Sequence, residues 1–176
     1  HGERQPPERH RERVATYFDP LPIWYEPFEH DQTSRETYPL NAVTQRPMFM
    51  YHAWGSQNAW LRQITARNFL YLHPDTAVRL GVADNDWVHV DSHHGRITVQ
   101  AKTAANVQPD TVWTWNAIGK SAGAWNLTPD ANESQRGFLL NHPISEELPL
   151  AGSSATGSNS DPITGQPAGY DVRARV

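Results

Sequence analysis

The sequence contains no cysteine among its 176 residues. The chain can therefore form no disulfide, and it supplies neither a thiolate nucleophile nor a cysteine ligand for zinc or an iron–sulfur cluster. Long hydrophobic runs are also missing, since no apolar stretch approaches the roughly 18 residues that a membrane-spanning helix needs. An excess of basic residues is missing too: 15 Lys and Arg stand against 19 Asp and Glu. We therefore expect neither membrane insertion nor nucleic-acid binding through a basic face.

The sequence begins HGERQPPERHRER, which has no apolar segment behind its charges and so does not resemble a signal peptide. It also begins without methionine, so we expect the chain to be part of a longer protein. Either the bacterial cytoplasm or the periplasm fits the sequence, with the cytoplasm favoured.

Hydrophobic residues make up only 38% of the chain, but seven Trp add large rings that bury much area. Fourteen Pro and eleven Gly favour short strands and turns over a helical bundle. One short helix is predicted between His73 and Gly81, because Pro74 lies just inside its start and a glycine follows its end. Strands are predicted at 40–43, 69–72, 87–91, 97–101 and 111–115. This pattern predicts a mainly β fold with short helices, in the form of a small closed barrel.

The chain divides into a lead-in and a barrel domain. Residues 1–37 are charged and rich in proline, so we expect either an extended segment that packs on a preceding domain or, with equal weight, a disordered lead-in. Residues 38–176 form the predicted barrel, with a Gly/Ser linker at about 151–160 and a last strand within 170–176. Short helices are predicted to begin near 128–130 and 143–148.

Hydrogen-bonding side chains and aromatic rings alternate where the first strand leaves the core. The residues of interest are Thr44, Arg46, Tyr51, His52 and Trp54. Rings can stack on a heterocycle while arginine and amides bind phosphate and ring edges, so this composition favours a pocket for a large, partly aromatic anion. A solvent-exposed surface loop remains the alternative.

A second polar segment, 116–126, follows the strand at 111–115 and contains Asn116 and Asn126. Two such strand exits in one small barrel can converge on one ligand. A bound anion would make each contact of Arg46 worth about 1.5–3 kcal/mol. A surface ion pair at Arg46 would contribute less than about 1 kcal/mol.

No catalytic or metal-binding set is predicted. His93 and His94 are adjacent in a tight turn and have no third ligand nearby, so a solvated hairpin tip is the better interpretation. A Ser-His-Asp triad from Ser56, His52 and Asp75 has no supporting motif. The sequence Gly119-Lys120-Ser121 lacks the earlier glycine of a phosphate loop.

Four ordered blocks of the sequence resemble a known family. They are YPLNAVTQRPMFMYHAWGSQNAWLR, NFLYLHPDTAVRLGVADNDWVHVDSHHGRITVQAKTAANVQPDTVW, NAIGKSAGAWNLTPD and DPITGQPAGYDVRARV. They are similar to the C-terminal domain of molybdopterin oxidoreductases of the dimethyl sulfoxide reductase type, over residues 38–176. The resemblance implies a double-psi β-barrel that holds a molybdopterin guanine dinucleotide of a molybdenum enzyme. Its block WNAIGKSAGAWNLTPDANESQRGFLLNHPISEELP is most similar to members that process sulfur oxyanions, such as sulfite dehydrogenases and polysulfide or thiosulfate reductases.

The resemblance also implies site residues. By motif, the family's cofactor contacts correspond to Thr44, Arg46, Tyr51, His52, Trp54, Gly55, Asn126 and Gln166. Asn116 is added as a predicted contact because it lies where the predicted strand 111–115 ends. Gln45 stands where many relatives have glycine. The molybdenum ligand and any iron–sulfur cluster of such enzymes belong to earlier domains, so the fragment alone is expected to be inactive. The implied partners are the preceding catalytic domains and an iron–sulfur electron-transfer subunit.

A second hypothesis treats the chain as an independent barrel that serves as a protein-binding or structural module. Its basis is the aromatic segment around Trp24, Tyr25 and Phe28 in the lead-in.

Overall fold

The computed structural model describes residues 7–18, 21–22, 33–65, 67–116, 118–119, 127–145, 147–149, 156–158, 166 and 172–176. The helices are α1 (Glu8–Tyr17), a 3₁₀ helix (His52–Gln57), α2 (Ala59–Ile64), α3 (Pro74–Leu80) and α4 (Asn132–Gln135). The strands are β1 (Leu40–Gln45), β2 (Leu70–Leu72), β3 (Trp87–Ser92), β4 (Arg96–Thr103), β5 (Thr111–Trp115), β6 (Glu147–Pro149), β7 (Thr156–Ser158) and β8 (Val172–Arg175). Within these ranges, no helix has the length and apolar character to cross a bilayer.

Six of the described strands close into a barrel in the order β1-β5-β2-β4-β3-β8, and β8 pairs back onto β1. The pairs β1–β5 and β2–β4 are parallel, and the other neighbours are antiparallel. Closure leaves no exposed sheet edge between these strands. This mainly β barrel confirms the predicted fold class.

Alternate residues of the barrel strands fill its interior. The buried cluster consists of Leu40, Leu70, Leu72, Ala77, Val90, Ile97, Val99, Ala101, Val112, Phe138 and Ala174. The opposite side of two neighbouring strands carries rings instead: Tyr71 and Trp113 are register partners, and their rings stack with centroids 4.0 Å apart. This period of two explains why the strand pattern was visible in the sequence.

Helix α3 follows its sequence signals closely. Pro74 occupies the first turn, and the ring nitrogen Nδ1 of His73 accepts a hydrogen bond from the backbone N–H of Asp75. Gly81 ends the helix in the left-handed conformation at φ 68°. Thr76 is fully buried, and its hydroxyl donates to the carbonyl of Pro109 just before β5. The helix therefore packs at the end of the barrel where β1 and β5 begin.

An ion-pair cluster joins three strands on the outer wall. The Asp91 carboxylate accepts hydrogen bonds from Nη2 of Arg96 at 2.9 Å and from Nε of Arg175 at 3.1 Å. Both arginines are register partners of Asp91, on β4 and β8 respectively. Chiefly through the hydrogen bond from Arg96, these contacts lower the pKa of Asp91 from its ordinary 3.8 to about 2.

We expect Asp91→Asn to lower the free energy of unfolding by about 1 kcal/mol at pH 7, because both arginines are half exposed and solvent screens the pairs. A folded-state pKa below the unfolded value stabilises the fold above pH 3.8, and this stabilisation is lost as the pH falls towards 2. The difference between the variant and the parent protein, measured by urea denaturation, should therefore shrink over this pH window. Glu36→Gln, at an exposed carboxylate in the loop before β1, is the control. A difference that does not depend on pH would contradict this role.

Three local predictions were wrong. Residues 8–17 of the lead-in form α1 instead of an extended segment, because Pro20, Pro22 and Pro27 all follow the helix and no proline interrupts it. Part of the expected linker at 151–160 is strand β7, which pairs with β6 through backbone atoms that any residue supplies. The same pairing places residues 147–149 in a strand where a helix was predicted to begin. The aromatic segment proposed for docking, at residues 24–28, lies outside the described residues.

Candidate functional site

The two donor-rich segments leave the barrel side by side. Strands β1 and β5 are parallel neighbours with Thr44 opposite Thr114 and Gln45 opposite Trp115, so both end at the same mouth of the barrel. Beyond the last pair, the backbone N–H of Asn116 donates to the carbonyl of Gln45 at 2.9 Å. The segments that begin at Arg46 and at Asn116 therefore start next to each other, as the sequence predicted.

A cation and several rings follow the β1 exit. The guanidinium carbon of Arg46 lies 5.8 Å from the centre of the Tyr51 ring. That ring makes edge contacts with His52 at 5.3 Å and with Trp54 at 6.5 Å between centroids. Tyr51 is 65% exposed and Trp54 is 83% exposed, so both rings have open faces. A positive charge beside uncovered aromatic faces suits a phosphorylated heterocycle.

A small folded unit supports these rings. An added Cβ at Gly55 would lie 3.0 Å from Cδ1 of Leu61 and 3.3 Å from Cγ of Met50, so this glycine permits close packing between the 3₁₀ helix and α2. Nη1 of Arg62 donates to the carbonyls of Ser56 and Gln57 at 3.1 and 2.8 Å. Gly55, predicted as a cofactor contact, thus has a packing role.

Asn68 fixes the β5 exit, and the sequence analysis missed it. Its Nδ2 donates to the carbonyls of Trp115 at 2.6 Å and Ile118 at 3.3 Å. Its Oδ1 accepts from the hydroxyl of Thr114 at 3.0 Å and from the backbone N–H groups of Trp115 and Phe69. The side chain is buried and uses both ends of its amide on backbone that lies 47 to 50 residues away. An isolated Asn before a strand carries no sequence pattern that predicts such contacts.

Gly119 and Gly81 form a matched pair for substitution, because both have a φ of 68°. An added Cβ at Gly119 would lie 2.9 Å from Cβ and 3.0 Å from the backbone N of Asn68, whereas nothing lies within 4 Å at Gly81. We expect Gly81→Ala to cost about 1 kcal/mol of unfolding free energy through left-handed strain. Gly119→Ala should cost about 3 kcal/mol, because a backbone clash adds to that strain. Equal losses in urea denaturation would show that Asn68 and Gly119 are not in close approach.

A cleft opens beside the β5 exit. Its empty volume, including space open to solvent, is ≈ 740 Å³. It is lined by Asn68, Trp115, Asn116, Ile118, Phe138, Leu139, Leu140, Asn141 and His142. Oδ1 of Asn116 is buried and has no hydrogen-bond partner among the described atoms. A buried carbonyl oxygen left unpaired costs about 1–3 kcal/mol, so a donor from a ligand would stabilise this arrangement.

The structure shows less about the other residues considered in the sequence analysis. Gln166 is described and exposed, whereas Asn126 lies outside the described residues. His93 and His94 form the β3–β4 turn, where the backbone N–H of His94 donates to Oγ of Ser92 at 3.0 Å. The described residues contain no cluster of three or more His, Asp or Glu side chains that could hold a metal ion.

Comparison with known proteins gives a consistent result. The family model described as "Molydopterin dinucleotide binding domain" matches residues 40–142. The chain is 60% identical to a sulfite dehydrogenase subunit from Allochromatium vinosum, over 98% of this chain and 18% of that protein. It is 29% identical to trimethylamine-N-oxide reductase of Haemophilus influenzae, over 68% of this chain and 14% of that protein.

A solved structure shares the fold. Acetylene hydratase from Pelobacter acetylenicus matches with a TM-score of 0.63 and 22% identity, over 92% of this chain and 22% of that one. The chain spans less than a fifth of the length of the sulfite dehydrogenase subunit and of the trimethylamine-N-oxide reductase. Because the family model covers more than half of the sequence, the chain belongs to the molydopterin dinucleotide binding domain family, the cofactor-holding domain of molybdenum oxidoreductases.

Proposed function

We propose that this chain binds one molybdopterin guanine dinucleotide at the barrel mouth where β1 and β5 end, within an enzyme that oxidises sulfite. The observation that carries the proposal is the parallel pairing of β1 with β5, which starts the Arg46 and Asn116 segments side by side. Two adjacent polar segments can grip a single extended ligand, whereas segments at opposite ends of a barrel cannot.

The side chains at this mouth fit the chemistry of that cofactor. Its phosphates need a cation, and Arg46 is exposed at the β1 exit. Its flat heterocycles need open rings, which Tyr51 and Trp54 offer. Its amino groups need acceptors, and the buried Oδ1 of Asn116 lacks a donor among the described atoms. When bound, the molybdenum–dithiolene unit supplies the redox chemistry, and the protein supplies binding and orientation.

The other predicted contacts have supporting roles in this proposal. Thr44 offers a partly buried hydroxyl one residue from the end of β1, and His52 offers ring nitrogens next to Tyr51. Gly55 acts indirectly by letting α2 pack against the 3₁₀ helix that carries Trp54. Asn126 and Gln166 are proposed from their positions in the sequence alone.

The substrate proposal rests on similarity. Identity to the sulfite dehydrogenase subunit is 60%, against 29% for the trimethylamine-N-oxide reductase. We also propose that other domains of a longer polypeptide supply the molybdenum ligand. The chain has no cysteine, so any iron–sulfur cluster would be held by those domains or by an electron-transfer subunit.

The test uses the purified full-length enzyme with an artificial electron acceptor or donor. We expect molybdenum and guanine nucleotide to be present in stoichiometric amounts. We also expect sulfite to be turned over at least about ten times faster than thiosulfate, polysulfide, dimethyl sulfoxide or trimethylamine N-oxide. Faster turnover of one of the other compounds would reject the substrate proposal, and absence of the cofactor would reject the proposal as a whole.

A further inference from the structure

Helix α2 presents apolar side chains to solvent. Trp60 is 78% exposed and Ile64 is 60% exposed, and no residue of this helix is buried. The two are four positions apart, so they lie on the same face of the helix. We call the surface formed by Trp60 and Ile64 the α2 face. Tyr51 and Trp54, assigned above to the cofactor, are not part of it.

This face belongs to a helix that is too short to be stable by itself. Isolated helices shorter than about 12–15 residues are marginal in water, and α2 has only six residues. Its described supports are the Asn58 side chain, which caps the backbone N–H of Trp60 at 2.9 Å, the hydrogen bonds from Arg62 to the carbonyls of Ser56 and Gln57, and the close approach of Leu61 to Gly55. Packing of another surface over Trp60 and Ile64 would supply the apolar burial that such a helix needs.

The charge pattern indicates what kind of surface covers the α2 face. Between Pro47 and Thr65 the only residue that is charged at all pH values near neutrality is Arg62, and there is no Asp, Glu or Lys. The Nη1 atom of this arginine is bound to the carbonyls of Ser56 and Gln57. Helices that lie on membranes carry several basic residues on their polar face, which this segment lacks. Depletion of charge around aromatic residues is typical of the core of a protein–protein interface.

We infer that the α2 face is the contact surface for another domain of the same polypeptide. The sulfite dehydrogenase subunit that aligns with 98% of this chain has only 18% of its own length inside the alignment, so the rest of that protein is long enough to contain further domains. The 3₁₀ helix and α2 follow directly from the β1 exit, so a domain seated on α2 would lie beside the barrel mouth. The contact would then help to enclose that mouth. This inference goes beyond the cofactor role and does not depend on it.

The first test measures coverage of the α2 face in the purified full-length enzyme. Hydroxyl-radical labelling of Trp60 and Ile64, read by mass spectrometry, is compared between the native and the urea-denatured protein. We expect at least tenfold protection of both side chains in the native enzyme. Because Trp60 is 78% exposed in the chain alone, labelling within about threefold of the denatured rate would overturn the inference.

The second test identifies what covers the face. The exposed Gln63, between the two apolar residues, is changed to lysine (Gln63→Lys) in the full-length enzyme and cross-linked with a lysine-reactive reagent. Equal amounts of ¹⁴N- and ¹⁵N-labelled enzyme are mixed before the reaction. Cross-links of uniform isotope composition to residues outside this chain in the same polypeptide support the inference. Cross-links of mixed composition would indicate a second copy, and cross-links to a separate subunit would indicate that partner; either result would overturn it.

A third test compares how fast limited proteolysis releases the barrel domain from two variants. Trp60→Gln combined with Ile64→Gln should at least double the rate at which limited proteolysis releases the barrel domain from the full-length enzyme. Val78→Gln, at an exposed apolar residue of α3, should leave the release rate unchanged. If the two variants release the domain at the same rate, the α2 face does not hold the domains together.

Discussion

Replacing Arg46 with alanine in the full-length enzyme is expected to lower the affinity for the molybdopterin dinucleotide by about ten- to a hundredfold. A charge-assisted hydrogen bond from arginine to phosphate contributes about 1.5–3 kcal/mol, and each 1.4 kcal/mol corresponds to about a tenfold change. Arg46 contacts only the open ring of Tyr51 among the described interactions, so its removal should leave the barrel folded. Molybdenum by mass spectrometry and guanine nucleotide released by acid together measure the cofactor content.

Two further variants test whether cofactor binding depends on the positive charge of Arg46 or on the planar geometry of its guanidinium group. Arg46→Lys keeps a positive charge but loses the planar two-pronged donor, so we expect a cofactor content between those of the parent and the alanine variant. Lys102→Ala removes an exposed cation from the outer wall, where its ammonium lies 5.5 Å from the centre of the Phe69 ring, and should retain full cofactor. Full retention in Arg46→Ala would exclude Arg46 as a cofactor ligand.

Much of the barrel could be predicted because its determinants are local. Strands β3 and β4 alternate apolar and polar residues, and this period survives in the sequence whatever the tertiary contacts are. Helix α3 has a proline at its start and a glycine at its end, both of which act within one turn. Such features need no knowledge of the rest of the chain.

The helices of the 46–64 segment were not predicted, although the signals were present. Asn58 is a favourable N-cap, and Trp60, Leu61 and Ile64 have helical spacing. The aromatic and polar composition of this segment also fits a ligand-binding loop, which is how it was interpreted. Its short length also makes the helical period weak, since six residues cover less than two turns.

Part of the setting of the site was predicted. The sequence indicated that the β1 and β5 exits can converge on one ligand, and the parallel register from Asn41–Thr111 to Gln45–Trp115 shows that the two strands end side by side. The resemblance of the sequence to the family supplied the cofactor, which the family match confirms. The buried amide of Asn68 could not be predicted, because four of its five described hydrogen bonds are to backbone groups and no side-chain pattern records them.

That buried amide leads to the largest expected effect on stability. Asn68→Ala should lower the free energy of unfolding by about 2–4 kcal/mol, because it breaks a buried hydrogen-bond network and leaves backbone groups unpaired. The carbonyl of Trp115 would lose a hydrogen bond of 2.6 Å and the hydroxyl of Thr114 one of 3.0 Å. For a chain of this size, the loss corresponds to a fall in Tm of about 5–15 °C, measured by calorimetry.

The same substitution should also disturb the barrel mouth, because Asn68 holds the backbone on both sides of Asn116 through the carbonyls of Trp115 and Ile118. We therefore expect a reduced cofactor content in the full-length Asn68→Ala enzyme even at temperatures where it stays folded. Asn41→Ala is the matched control, since the Asn41 amide makes only long contacts of 3.4 and 3.5 Å to Asp110, and it should cost less than about 0.5 kcal/mol. Equal losses at the two positions would mean that the Asn68 network does not stabilise the β5 exit, and the positioning of Asn116 would then need another source.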